Sequence, residues 1–248
     1  SQAEFFEALK GGAEVSTSQP APGAIQQCWD AVLEDCEELI YIPMSAGLSG
    51  ECQTALGLAR DYGGRVRVAD NRRISVTERQ AALDALSLAR QGRTAAEIQT
   101  FLEADGGNSD IFVAVNTLEL LKKSGRVTAA GAALGAMLSI KPVLRIQGGK
   151  LDAYRKVRGM RCAMQAMIEG LQEDAQRLEG PLTVRAAYAG DLEAGQRWRD
   201  ALQQAFPNCT VGLDPLPLSV CCHVGWGALG VGIARDNIRR KRAMKRQR

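Results

Sequence analysis

One histidine, His223, serves the whole chain, and none of its seven cysteines forms a Cys-x-x-Cys pair. These shortages leave too few spaced nitrogen and sulfur ligands for the usual zinc arrangements, so no metal is expected. The cysteines, Cys28, Cys36, Cys52, Cys162, Cys209, Cys221 and Cys222, are odd in number and follow no framework spacing. That excludes a disulfide scaffold and fits a reduced, cytoplasmic compartment. No apolar run is long enough to cross a bilayer; the window Ala129 to Leu144 is broken by Ser139 and Lys141. The first residues, Ser1 to Leu9, read as an amphipathic helix without the basic start and apolar stretch of a secretory signal, and without an initiator methionine. Neither Gly-x-Gly-x-x-Gly nor a P-loop follows any candidate strand, which argues against a nucleotide-binding domain.

The net charge of +3 misleads, because it is concentrated at one end. Residues 235–248 hold eight Lys or Arg and one Asp, so the remainder carries 23 basic against 27 acidic residues. The body is mildly acidic and the tail is basic. Such a run is normally a solvated end, with transient contact to an anionic membrane surface as the functional alternative. No aromatic residue interleaves with its arginines, so nucleic acid is not expected as a partner.

Along the first half, helical and strand patterns alternate. Helices are expected at Ala3 to Lys10, Gly23 to Leu33, Glu51 to Tyr62, Thr77 to Gln91 and Ala95 to Leu102, with strands at Leu39 to Ile42 and Val66 to Ala69. Thr94 and Glu97 are spaced as a capping box. Alternation of this kind predicts a parallel sheet covered by helices. Asp105-Gly106-Gly107-Asn108 then breaks the pattern before the apolar strand Ile111 to Val115. The second half has a different texture. Val143 to Ile146 and Lys150 to Tyr154 flank Gln147-Gly148-Gly149 as a hairpin. A helix at Gly159 to Leu178, a strand at Thr183 to Tyr188, a helix at Leu192 to Ala205 and strands at Thr210 to Leu213 and Leu229 to Ile233 follow. The reading is an α/β protein of two packed domains: an N-terminal parallel αβα domain over 1–110, lacking its first strand, and a C-terminal α+β domain over 111–248 with a mixed or antiparallel sheet.

Four segments carry chemistry. Leu39 to Pro43 empties into Met44-Ser45-Ala46-Gly47-Leu48-Ser49-Gly50 and then into a helix. A turn of this kind leaves backbone N–H groups unpaired at the helix start, and with the hydroxyls of Ser45 and Ser49 it suits a carboxylate or phosphate. On the segment alone, Ser49 as a plain helix cap is the favoured reading. Ser16-Thr17-Ser18-Gln19-Pro20 is a hydroxyl-rich loop before a helix. Basic residues recur at Lys122-Lys123-Ser124-Gly125-Arg126, Lys141 and Arg155-Lys156-Val157-Arg158, a set that suits phosphate or an acidic partner if it converges. His223 stands beside the glycine-rich Val224-Gly225-Trp226-Gly227, and its charge is tunable near neutral pH.

Together these pieces resemble the DegV family, the fatty-acid-binding subunits of bacterial fatty acid kinase. The matching pieces are Thr17-Ser18-Gln19-Pro20, Ser45 to Gly50, Val68-Ala69-Asp70, Thr117 to Val127, Ile140-Lys141-Pro142, Lys156-Val157-Arg158 and His223-x-Gly225-x-Gly227. They occur in family order over residues 5–233; no single one is specific, but the ordered set is. The resemblance implies a bacterial, two-domain, non-catalytic lipid carrier that holds one long-chain fatty acid, such as palmitate or oleate, between its domains and needs no cofactor. A partner kinase subunit would phosphorylate the acid, and a downstream acyltransferase would pass the acyl phosphate into phospholipid synthesis. The implied carboxylate-binding residues are Thr17, Ser18, Ser45, Ser49, Gly50 and His223, with Arg126 and Arg158 toward the partner or the phosphate. The aliphatic stretch Ala129 to Leu138 is a candidate wall for the acyl chain, or an ordinary helix contact through small residues.

The chain departs from the family pattern in several places. The family's opening strand with its Asp-Ser pair has no counterpart, because this chain begins in the following helix. Glu51 and Cys52 replace a threonine and an aromatic residue, Asn71 replaces a hydroxyl residue, and Trp226 stands where the family has proline. The rival reading is a serine hydrolase or esterase with Ser49 as nucleophile, His223 as base and Asp70 to orient it. Gly47-Leu48-Ser49-Gly50-Glu51 is not the Gly-x-Ser-x-Gly elbow, which weakens that rival.

Overall fold

The computed structural model describes residues 1–133, 140–147 and 149–238. In chain order the elements are α1 (Gln2–Lys10), α2 (Pro22–Leu33), β1 (Leu39–Tyr41), α3 (Glu51–Leu58, prolonged by a 3-10 turn, Ala59–Tyr62), β2 (Val66–Val68), α4 (Ser75–Ala89), α5 (Ala95–Asp105) and β3 (Ser109–Ala114). Then come α6 (Glu119–Ser124), α7 (Ala129–Ala132), β4 (Ile140–Gln147), β5 (Lys150–Arg158), α8 (Gly159–Arg177), β6 (Leu182–Tyr188), α9 (Leu192–Ala205), β7 (Gly212–Pro215), α10 (Leu218–Val224) and β8 (Leu229–Arg235). Much of the stretch 129–138, Gly148 of the hairpin turn and the tail from Arg239 lie outside the described residues. No described helix is long and apolar enough to cross a membrane.

The chain forms two compact units, one of Ser1–Thr17 with Ser109–Arg235, the other of Ser18–Asn108 with the segment from Asp236. The division after Asn108 falls beside the expected boundary at 110. Unlike the expected division, α1 belongs with the second half of the chain, and the segment after β8 belongs with the first. Both differences have side-chain causes. In α1, Phe6 is 1% exposed and its ring meets Trp226 edge-on at 5.1 Å. After β8, the Asn237 amide donates to the carboxylates of Asp84 and Asp105, at 3.0 Å each.

The unit of residues 18–108 is an αβα sandwich around two parallel strands, β1 and β2, with Leu39 opposite Val66 and Tyr41 opposite Val68. Strand periodicity decides its layers, because alternate residues face opposite sides. Leu39 and Tyr41 pack with Ile25, Trp29, Cys52 and Ala55 of α2 and α3. Ile40 and Ile42 pack with Ala81, Ala85, Leu88, Ile98 and Leu102 of α4 and α5. The Thr94–Glu97 capping box starts α5 as its spacing predicts. Beside the apolar layers lies a buried polar network: Arg73 donates to Asp105 at 2.9 Å, and Gln80 donates to Asp84 at 3.1 Å. Burial pushes the Asp84 carboxyl up to about 6.

The other unit is built on a mixed six-stranded sheet ordered β5-β4-β3-β8-β6-β7. Every neighbouring pair is antiparallel except β6 with β7. The expected hairpin is β4–β5, longer than its apolar centre suggested and shifted in register at Val143/Leu144. Helix α8 lays Ala163, Ala166, Met167 and Leu171 onto the core with Phe112 and Val143. Gly170 is required there, since a Cβ would stand 2.7 Å from the Phe112 ring. Burying each large apolar side chain stabilises by roughly 1.5–3 kcal/mol. Trp198 of α9 adds a satisfied polar end, its indole N–H donating to the Gly230 carbonyl at 2.7 Å.

Candidate functional site

His223 lies in the last turn of α10, beside the glycine-rich turn. Pro217 precedes the first residue of this helix, where its fixed φ suits entry into a helical turn, and Cys221 and Val224 bury one face of the helix. The chain leaves at Gly225, whose φ of 74° and ψ of −179° no L side chain adopts easily. A second left-handed glycine, Gly227, follows with φ 73°. The helix end therefore fixes where the imidazole points.

Thr17 Oγ1 stands 2.9 Å from His223 Nε2, which joins two residues far apart in sequence within one unit. Burial, and secondarily the Arg126 charge, lower the His223 pKa below its ordinary value. The imidazole is therefore neutral at pH 7, with one N–H and one lone pair to place. Nδ1 is buried and has no hydrogen-bond partner among the described residues. Arg126, whose guanidinium donates to the Ser124 carbonyl, is thus in electrostatic reach of the ring. Arg158 is exposed where β5 passes into α8.

The turn from Ser45 to Gly50 lies in the other unit, with Ser18, which is exposed. Ser45 is buried, and its N–H donates to the Arg73 carbonyl at 2.8 Å. Its hydroxyl oxygen accepts from Gly47 N–H at 3.2 Å, and Ser49 Oγ accepts from Glu51 N–H at 3.2 Å. Gly50 rather than Ser49 is the residue before α3, and no side chain caps that helix. Ser49 nonetheless serves one of its open N–H groups. Both serine oxygens thus serve the turn as acceptors.

Gln19, to which the sequence assigns no role beyond membership of the Thr-Ser-Gln-Pro piece, also braces this turn. Its amide donates to Thr54 Oγ1 at 2.8 Å, and its Oε1 would stand 2.9 Å from any Cβ at position 50. Gly50 thus packs directly against the Gln19 amide of the Thr-Ser-Gln-Pro motif. Behind the turn, the Tyr41 hydroxyl donates to Glu51 at 2.5 Å, so burial and that carboxylate raise the Tyr41 pKa. Desolvation, with the Glu51 charge nearby, pushes Glu78 up to about 8. Asp70 accepts from the backbone N–H of Arg72 at 3.2 Å and of Ala46 at 3.5 Å. No carboxylate bonds His223 among the described residues, so the orienting acid that a hydrolytic triad requires is not supplied there.

The mixed-sheet unit and the αβα unit together define a known architecture. The DegV family model, described as "Uncharacterised protein, DegV family", matches residues 1–236. A DegV domain-containing protein of Deinococcus radiodurans is 31% identical over 231 residues, covering 93% of this chain and 82% of that protein. Among solved structures, the DegV family protein from Thermus thermophilus described for fatty acid binding is similar with a TM-score of 0.85 and 27% identity, over 94% of this chain and 84% of that one. A DegV lipid binding protein from Thermotoga maritima is similar with a TM-score of 0.79 and 26% identity, over 94% of this chain and 82% of that one. The chain belongs to the DegV family.

Proposed function

We propose that this protein is a fatty-acid carrier, which binds a long-chain acid such as palmitate or oleate non-covalently and presents its carboxylate to a partner kinase subunit. The observation that carries this reading is the neutral Thr17–His223 pair with its unpartnered Nδ1. The similar proteins from Thermus thermophilus and Thermotoga maritima, described as binding fatty acid and lipid, supply the ligand class.

The physical chemistry is consistent with that ligand. Each buried methylene contributes about 0.8 kcal/mol, so an acyl chain gains on the order of ten kcal/mol before the costs of association. A chain held that deeply brings its carboxylate out of water, where an unmatched anion is costly. Thr17 and His223 in one unit, and Ser18, Ser45, Ser49 and the backbone at Gly50 in the other, are each proposed as neutral donors to such a group. Neutral donors stabilise the anion without the tight ion pair that would blunt it as a nucleophile toward a phosphoryl group. The kinase subunit would then form the acyl phosphate, which an acyltransferase of phospholipid synthesis consumes. Arg126 and Arg158 are proposed as contacts for that partner or for the phosphoryl group.

Native mass spectrometry of protein purified from cells, followed by extraction of bound acid, tests the carrier reading. We expect a mass increment equal to one fatty acid; no increment and no uptake of added palmitate would overturn it. The kinase step is tested separately by adding a bacterial fatty acid kinase and ATP to the palmitate-loaded protein. Arg158→Ala should keep its lipid and slow acyl-phosphate formation.

A further inference from the structure

Residues 1–17, which include α1, belong to the mixed-sheet unit, and their anchors there are regularly spaced. Gln2 accepts from Gly190 N–H at 2.8 Å and donates to the Leu216 carbonyl at 2.5 Å. Phe6, one and a bit helical turns on, meets the Trp226 ring edge-on at 5.1 Å with an interplanar angle of 87°. Lys10, four residues further, holds its ammonium 5.0 Å above the same indole. Beyond the helix, Glu14 pairs with Lys123 at 2.7 Å, an exposed contact of little weight, and the segment ends at Thr17 against His223.

Two of these anchors share one side chain. Trp226 is three residues beyond His223, between the two left-handed glycines that end α10. Its backbone carbonyl is held by the Asn116 amide at 2.8 Å, and Asn116 in turn accepts from Lys141 at 2.8 Å. Its ring covers Gly190 so closely that a Cβ there would stand 2.2 Å from two indole carbons. The indole is therefore fixed from below by Gly190, fixed at its backbone by Asn116, and receives α1 through Phe6 and Lys10. We propose that Trp226 is a positioning residue: it is the seat on which α1 packs, and through the segment from α1 to Thr17 it sets the Thr17 hydroxyl against His223.

The chemistry suits this role. An edge-on aromatic pair and a cation over an indole each have a preferred geometry, so they fix an orientation as well as bury area. Lys10 and Phe6 lie one turn apart on α1, so both engage one ring only when the helix is rotated correctly. That rotation sets the direction in which the chain leaves toward Thr17. Trp226 thereby couples the helix end that carries His223 to the segment that carries its partner.

The single histidine makes the test direct, because one imidazole resonance reports the site. In delipidated protein, the His223 ring shifts and pKa are measured by NMR for the native chain, Thr17→Val, Trp226→Ala, Phe6→Ala and the two double variants with Thr17→Val. We expect Trp226→Ala and Phe6→Ala each to bring the His223 values to those of Thr17→Val, with no further change in the doubles, and Trp226→Phe to keep the native values. Native His223 values in folded Trp226→Ala or Phe6→Ala, or changes that add to those of Thr17→Val, would overturn the proposal. Should Trp226→Ala fail to fold, Phe6→Ala decides alone, since it leaves the glycine turn untouched. The readout uses no ligand, so it stands or falls separately from fatty-acid binding; that reading enters only in the expectation that palmitate affinity falls by the same factor in Thr17→Val, Trp226→Ala and Phe6→Ala.

Discussion

The two units place their hydroxyls under opposite conditions. In the αβα unit, Ser45 and Ser49 accept from backbone N–H groups two residues away, so the turn holds its own side chains. In the mixed-sheet unit, Thr17 and His223 hold one another across 206 residues of sequence. A carboxylate bound at the serines, as proposed, would meet a turn already ordered by these bonds. One arriving at the Thr17–His223 pair must divide a hydrogen bond that already exists. On the proposed function, the first arrangement would favour affinity and the second would make occupancy responsive to pH.

The comparison is broken most severely by removing what holds the serine turn. The Arg73 carbonyl receives Ser45 N–H, while its side chain, 1% exposed, pairs with Asp105. Arg73→Met takes that cation away from a buried carboxylate, and losing one partner of a buried pair costs about 3–5 kcal/mol. Urea denaturation should show that loss. A variant as stable as the native chain would mean that the turn is held without the network behind it.

Next in size is the loss of one proposed donor. Ser49→Ala removes a hydroxyl proton and also the acceptor for Glu51 N–H, and a lost hydrogen bond to a buried group costs about 1–3 kcal/mol. Palmitate titration should show a weakening of roughly 5- to 150-fold. An unchanged Kd would remove Ser49 from the proposed carboxylate set and leave it as the local acceptor alone.

A smaller effect separates the halves by pH. The free protein holds His223 below its ordinary pKa, chiefly by burial and then by Arg126. A bound carboxylate adds a negative charge and raises that pKa, so binding takes up a proton between the free and bound values and leaves the imidazole a neutral donor above them. Affinity should therefore rise as pH falls through the bound-state pKa and level off below the free-state one, by at most about tenfold per pH unit between them. Calorimetry in two buffers of different ionisation enthalpy measures the proton uptake. His223→Gln should abolish it, whereas Ser49→Ala should weaken binding and leave it intact.

The extent to which sequence anticipates these halves differs for a physical reason. The serine turn is local: strand, Gly-Leu-Ser-Gly and helix are contiguous, so Ser45, Ser49 and Gly50 could be read as one unit. So could the Thr94–Glu97 box and helix α9, whose signals lie within a few residues. The Thr17–His223 pair rests on contacts no local pattern encodes, such as Gln2 with Gly190 and Phe6 with Trp226. The expected placement of α1 with the first half failed to anticipate that packing. Short helices escaped as well: α6, α7 and α10 span one to two turns, too few for a periodic signal. Resemblance to the family supplied the grouping of Thr17 with His223, which periodicity could not.

The smallest expected effect concerns stability, and it tests whether the serine turn is itself silent to pH. Glu78, on the first turn of α4, is pushed up to about 8 by desolvation and by Glu51, which lies just beyond Gly50. Its unfolded pKa is about 4.3, so the folded unit favours the protonated acid. The stability this contributes is fully present below the unfolded value and is lost as pH rises through the folded one. Asp84, pushed up to about 6, acts in the same direction over a narrower window. Asp110 in the other unit is also raised by burial, so global melting would mix the two units. Hydrogen exchange read at α4 and α5 separates them. Protection there should fall between pH 5 and 8, and Glu78→Gln, which imitates the protonated acid, should reduce the fall and leave only the part that Asp84 contributes below about pH 6. Equal slopes in the two proteins would show that Glu78 is not held protonated beside the turn.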